Sequence, residues 1–247
     1  MNKKENLIKS VDLIKNSWAI YQKNVFKFIE ALLYGLMGLI PLIVVISLIA
    51  VYRYYGLYES TSFAVNLAVT ILFLLAFVAS FLIAIFYGLR SEITSILLLK
   101  NNFTSVKENF KESKPYVVKF LGVSLLVFVL IIAWCFALLI PALIFAVYYG
   151  FAQYVLITEN KRPFSAVERS YDLVRGYFWP VLGRLLLIFV LALAINFLLS
   201  APLDWLEQKN TAAFAYNLFY NLLWMFISPY FLIYCYGLYK NLAETNK

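Results

Sequence analysis

Charged residues divide the chain into long uncharged stretches, and those stretches are the first structural signal. Glu30 to Arg53 leaves 22 uncharged residues, Glu59 to Arg90 leaves 30, Lys119 to Glu159 leaves 39, Arg184 to Asp204 leaves 19 and Lys209 to Lys240 leaves 30. A helix rises about 1.5 Å per residue, so roughly 20 apolar residues cross a hydrocarbon core of about 30 Å. The 39-residue stretch is therefore two crossings. Its fold-back point is placed at Leu138-Leu139-Ile140-Pro141, because proline ends one helix and suits the first turn of the next. The pattern predicts six transmembrane helices near 28–51, 64–89, 117–139, 141–157, 178–199 and 214–239.

The segments between crossings carry a different pattern. Leu7, Val11, Ile14, Trp18, Tyr21, Val25 and Phe28 recur at steps of four and three, with Lys9, Asp12, Lys15, Asn16 and Lys23 elsewhere around the helix. This spacing predicts an interfacial amphipathic helix over 5–27. Adding 160 to each number gives Val167, Tyr171, Val174, Phe178, Val181, Leu185 and Ile188, so the same stripe returns in an interfacial helix over 163–177 and the crossing after it. Within it Ser10, Asp12 and Leu13 reappear as Ser170, Asp172 and Leu173, and Ile14-Lys15 becomes Val174-Arg175. The charged segment 103–116, with Phe110 and Ser113 to Pro115, leads into the third crossing on the same plan. The predicted architecture is a single multi-pass membrane domain over 1–247, all-α, built as three amphipathic-helix-plus-hairpin units.

Charge then orients this arrangement. The flanks before helix 1, after helix 2, after helix 4 and after helix 6 carry six, six, five and two Lys or Arg, whereas the opposite flanks hold Arg53 and Lys209 alone. A division of 19 to 2 predicts cytoplasmic N and C termini. The net charge of +8 separates into +9 on the cytoplasmic side and −1 outside, where Arg53 and Lys209 face Glu59, Asp204 and Glu207. The basicity is thus a topology signal, and nucleic acid is not an expected partner. Lys3 and Lys4 are followed by an amphipathic segment, so the N-terminus does not read as a cleavable signal sequence.

Composition sharpens the class and removes most enzyme chemistry. The chain of 247 residues is 64% hydrophobic and 14% charged, with no histidine and two cysteines. No Ser-His or Cys-His pair is available, and no His-containing zinc set. The expectation is no enzyme, no cofactor and no metal. Asp204 and Glu207, beside Trp205, read as a solvated loop, and Cys135 and Cys235 as small apolar residues inside helices 3 and 6.

Two functional surfaces can be drawn from what remains. A polar path for a small solute would pass Pro41, Ser80, Gln153, Asn196 and Pro229, where prolines kink helices and amides reach membrane depth. A lipid- or partner-binding collar would use Lys9, Lys15, Trp18, Lys23, Arg169, Arg175, Phe178 and Trp179, mixing bases with aromatics as headgroup-level helices do. The second is preferred because no deep charge marks a path. Its partners would be anionic membrane lipid and a protein. Glu30 and Arg184 are expected to snorkel, and Tyr52, Tyr54, Tyr55 and Tyr58 form an outer aromatic belt.

A family resemblance rests on particular residues. Val155-Leu156-Ile157-Thr158-Glu159, Pro163-Phe164-Ser165-Ala166-Val167-Glu168-Arg169-Ser170 and Leu173-Val174-Arg175-Gly176-Tyr177-Phe178-Trp179, with Pro229, Tyr234, Tyr236, Leu238, Tyr239 and Leu242, resemble a pattern in six-helix prokaryotic membrane proteins. That group includes the membrane domain ahead of some glycerophosphodiester phosphodiesterases. The resemblance implies the membrane module of a prokaryotic cell membrane without its catalytic domain, and no catalytic residue carries over. Expected functions are therefore a lipid-interacting or scaffolding membrane protein, alternatively a small-solute transporter or permease component, or a membrane accessory subunit of a lipid-processing enzyme.

Overall fold

The computed structural model describes residues 7–56, 61–137, 139–205 and 211–246. In chain order the helices are α1 (Ser10–Leu36), α2 (Ile40–Tyr54), α3 (Phe63–Lys100), α4 (Val106–Ser113), α5 (Val117–Ala137), α6 (Leu139–Tyr149), α7 (Ala152–Thr158), α8 (Pro163–Val174), α9 (Phe178–Trp205) and α10 (Thr211–Thr245). No strand occurs among the described residues. Six helical stretches are long and apolar enough to cross a membrane: Ser10–Tyr54, Phe63–Lys100, Val106–Phe136, Ile140–Thr158, Phe178–Pro202 and Ala213–Thr245. The protein is an all-α, multi-pass membrane protein.

The described chain divides into two compact units, Glu30–Val118 and the residues up to Ile29 together with those from Lys119 onward. In the central unit, Glu30–Val118, Gly35 and Gly38 bring the end of α1 close to α3. A Cβ at Gly38 would stand 2.5 Å from Tyr87 Cβ, and one at Gly35 would stand 2.7 Å from Ser91 Cβ. Small residues at this spacing are how membrane helices approach without a hydrophobic driving force. Ser91 Oγ secures the contact by donating to the Ala31 carbonyl at 2.9 Å. Pro41 lacks the N–H that Met37 O would accept, and Ile40 N takes that carbonyl instead in a 3-10 turn at Met37–Leu39. Proline therefore changes the helix geometry here without ending the run.

Several helices are longer than a crossing requires. Ser10–Tyr54 has 45 residues and Phe63–Lys100 has 38, about 67 and 57 Å at the usual helical rise. The surplus lies at the basic ends, and burial concentrates there. In the central unit Ile93, Ile96, Leu97, Leu98, Val106 and Phe110 are buried, whereas α2 has no buried residue and Ser80 alone is buried on α3 before Ile93. The spans present exposed apolar faces, and the buried residues of this unit gather beyond them from Ile93 onward. α3 closes with a Schellman arrangement in which Asn102 adopts φ 49° and Phe103 N donates to Leu98 O at 2.7 Å. Phe103 packs with Ala31, Leu98 and Val106.

The other unit repeats this distribution. Leu13, Phe120, Val123, Leu156, Leu173, Val181, Tyr234 and Leu238 are buried, while Leu186, Phe189, Phe197, Phe214 and Leu222 are exposed. Two prolines inside its spans share one device. Tyr21 Oη donates to Phe226 O three residues before Pro229, at 3.0 Å, and Tyr216 Oη donates to Leu199 O three residues before Pro202, at 2.8 Å. Proline weakens the ladder in the turn before it, and a neighbouring tyrosine takes up a carbonyl there.

The structure differs from the expected boundaries at several points. No break separates an interfacial helix ending at 27 from a crossing starting at 28, because α1 runs through both. The segment 163–177 is helical only to Val174, and the crossing expected over 141–157 is interrupted at Gly150-Phe151. The fifth crossing passes its expected end at 199 and runs through Pro202. Cys135 is exposed and Cys235 partly buried, both as free thiols. Of the expected fold-back point Leu138 lies outside the described residues, as do Tyr58, Glu59, Glu207 and Lys209.

Candidate functional site

The collar begins where the chain enters α1. Ile8 N donates to Asn241 Oδ1 at 3.0 Å, and Arg184 donates from Nε and Nη2 to Ile8 O at 3.2 and 2.6 Å and from Nη1 to Pro180 O at 2.8 Å. Arg184 thus turns to backbone carbonyls and does not merely snorkel. From this anchor Leu13 and Ser17 lie on the buried face, with Gly237 beneath them. Of the predicted stripe, Leu7 and Phe28 are buried and Ile14, Tyr21 and Val25 partly so, whereas Val11 and Trp18 are exposed. The correction has a physical reason. At headgroup level an exposed apolar side chain meets interface, and a small serine under a glycine permits the closest helix approach.

The exposed face of α1 carries Lys15, Lys23, Val11, Trp18 and Phe26, and Lys9 is exposed just before its first residue. Trp18 stacks on Tyr21 at 5.3 Å and meets Tyr230 edge-on at 6.0 Å while half its surface remains open. Such an amphipathic ring is held firmly enough to act as an interface anchor.

α8 is more deeply built in. Ala166, Val167, Ser170, Leu173 and Val174 form its buried stripe. Ser170 Oγ donates to Tyr148 O at 2.7 Å and accepts from Phe151 N at 3.2 Å, which satisfies the two backbone groups opened at the break between α6 and α7. Of the collar residues here, Arg169 lies 3.6 Å from Glu159, which also pairs with Lys161 at 3.3 Å and accepts from Tyr239 Oη at 3.3 Å. Arg175 is exposed, Phe178 stacks on Tyr148 at 5.4 Å and Trp179 is 74% exposed. The turn between them depends on Gly176, whose φ of +91° an L side chain rarely adopts.

In the central unit the segment 103–116 folds back on α3. Val106, Asn109, Phe110 and Ser113 are buried. Asn109 receives Asn101 Nδ2 at 2.8 Å and donates to Thr104 Oγ1 and Ser105 O, each at 2.9 Å. Arg90 donates to Ser113 Oγ at 3.2 Å and to Phe110 O, its guanidinium 3.8 Å from the Phe110 ring centroid. These polar locks were not marked by hydropathy. The clustering of Asn101, Asn102 and Asn109 around a turn was their available signal.

The polar-path residues fall in separate settings. Ser80 is buried on α3. Gln153 donates to Ser124 Oγ at 3.0 Å, and Asn196 accepts from Tyr220 Oη at 2.6 Å. Pro41 sits at the start of α2 and Pro229 within α10, beside the carbonyl capped by Tyr21. Two grooves occur on span surfaces, one of about 320 Å³ lined by Ile49, Tyr52, Arg53, Thr70, Phe73, Leu74 and Phe77. The other, about 560 Å³, is bordered by Leu143, Leu182, Leu186, Phe189 and Phe231 among others. Neither includes a path residue. No group of three or more Cys, Asp or Glu able to hold a metal occurs among the described residues.

Comparison with family models, with curated proteins and with solved structures finds no match for the chain.

Proposed function

We propose that the protein is a non-enzymatic component of a prokaryotic cell membrane, with both termini cytoplasmic, that binds anionic lipid headgroups through a basic, aromatic collar and scaffolds a protein partner there. The observation carrying this reading is the exposed face of α1, where Lys15 and Lys23 accompany Trp18 and Phe26, with Lys9 exposed just before its first residue. Each base near an anionic surface contributes about 1 kcal/mol of attraction. The length of the helical run from Ser10 to Tyr54 supports it, because 45 residues exceed what one crossing requires. Three amphipathic-helix-plus-hairpin units and the membrane-module resemblance belong to the same proposal.

Transport is the weaker alternative. Gln153 and Asn196 each already hold a side-chain partner, and neither groove includes a path residue. An accessory role in lipid processing rests on the resemblance alone. The test is the full-length protein reconstituted in mixed phosphatidylcholine and phosphatidylglycerol bilayers, with spin-labelled forms of both lipids. Selective immobilisation of phosphatidylglycerol that weakens with salt, without solute flux, is the expected result. Equal immobilisation of both lipids contradicts it.

A further inference from the structure

A groove in the central unit differs from the collar in composition and shares no residue with it. It lies between α2 and α3. Arg53 stands in the last turn of α2, followed by Tyr54 and Tyr55, which are 85% and 70% exposed. Exposed tyrosines at the end of a span mark the headgroup level. Among the described residues the Arg53 guanidinium has no carboxylate partner.

From that cation the groove continues along the spans past Tyr52 and Thr70 to Ile49, Phe73, Leu74 and Phe77. Its wall is fixed. Tyr52 Oη donates to Asn66 Oδ1 at 2.7 Å, the Tyr52 ring meets Phe73 edge-on at 5.7 Å, and Phe77 stacks on Phe81 at 6.4 Å. The volume of about 320 Å³ is that of a small-ligand site. An apolar trough at span depth is filled by hydrocarbon, since water gains nothing there. An arginine with no carboxylate partner among the described residues, at the tyrosine-flanked end of the groove, selects the charge of the occupant.

We propose that this groove holds an anionic phospholipid, its phosphate on Arg53 and an acyl chain along Ile49, Phe73, Leu74 and Phe77. The site shares no residue with the collar. A second copy of the chain would have to bring its own groove and cation against this one, so lipid is the occupant that charge favours.

The test uses full-length protein in phosphatidylcholine nanodiscs containing a trace of phosphatidylglycerol or phosphatidylcholine with a photoactivatable acyl chain, followed by peptide mapping. Labelling within 49–53 and 70–77 should be about fivefold greater for the phosphatidylglycerol probe, the effect of one base near an anionic group. Arg53→Gln should lower it to the phosphatidylcholine level, and Leu74→Trp should reduce labelling by both probes. Labelling within 10–27 should be unchanged in either variant. Equal labelling of the wild-type groove by the two probes, an unchanged preference in Arg53→Gln, or protein–protein cross-links in place of lipid adducts overturns the proposal.

Discussion

α1 and α8 carry similar stretches, Ser10 to Lys15 and Ser170 to Arg175 with three of six residues identical, yet they end differently. α8 stops at Val174 and the chain turns at Gly176 before α9 starts. α1 has Asn16 at the corresponding position and continues unbroken to Leu36. The 160-residue offset nonetheless carries burial with it. Leu7 and Val167, Leu13 and Leu173, Ser17 and Tyr177, and Phe28 and Ile188 are all buried, and Lys15 and Arg175 are both exposed. Burial is thus similar at these positions while one helix ends before a turn at Gly176 and the other runs on through Asn16.

The largest expected effect separates the buried and exposed sides of α1. Leu13→Ala, at 3% exposure, should cost about 2–5 kcal/mol in denaturant unfolding of the detergent-solubilised protein. Val11→Ala, at 60% exposure, should stay within about 0.5 kcal/mol. Similar costs at both would remove the distinction between the two faces. Next is the shared serine. Ser170→Ala strands the buried Phe151 N–H and the Tyr148 carbonyl, at about 1–3 kcal/mol. Ser10→Ala should shift the thermal midpoint little, because Ser10 meets no broken helix.

A smaller effect tests the glycine itself. Gly176→Ala has open space around its new methyl, so only backbone strain of about 1–2 kcal/mol should appear. Asn16→Gly should cost a few tenths of a kcal/mol as an ordinary helix-interior change. An Asn16→Gly loss as large as that of Gly176→Ala would show that α1 holds a turn in solution.

The crossings were legible because charge is expensive in hydrocarbon, and five uncharged stretches mark them directly. The amphipathic segments were legible as elements but not in their contacts. An apolar stripe predicts burial where water is the alternative, so it missed Trp18 and Val11, which are exposed, and Ser17, which packs against Gly237. The buried run from Ile93 to Leu99 lies beyond the expected end of helix 2 at 89, where α4 and not lipid covers it. Arg90, Asn109, Ser170 and Glu159 act through partners distant in sequence or through backbone groups, which periodicity does not encode.

The most direct measurement of the central claim is the preference for spin-labelled phosphatidylglycerol over phosphatidylcholine in two variants of the reconstituted full-length protein. One is the triple change Lys9→Gln, Lys15→Gln and Lys23→Gln, and the other is Arg169→Gln. The exposed lysines should carry the preference, so the triple variant should lose most of it while Arg169→Gln, whose charge is paired with Glu159, should keep it. A triple variant with the wild-type preference would contradict the account.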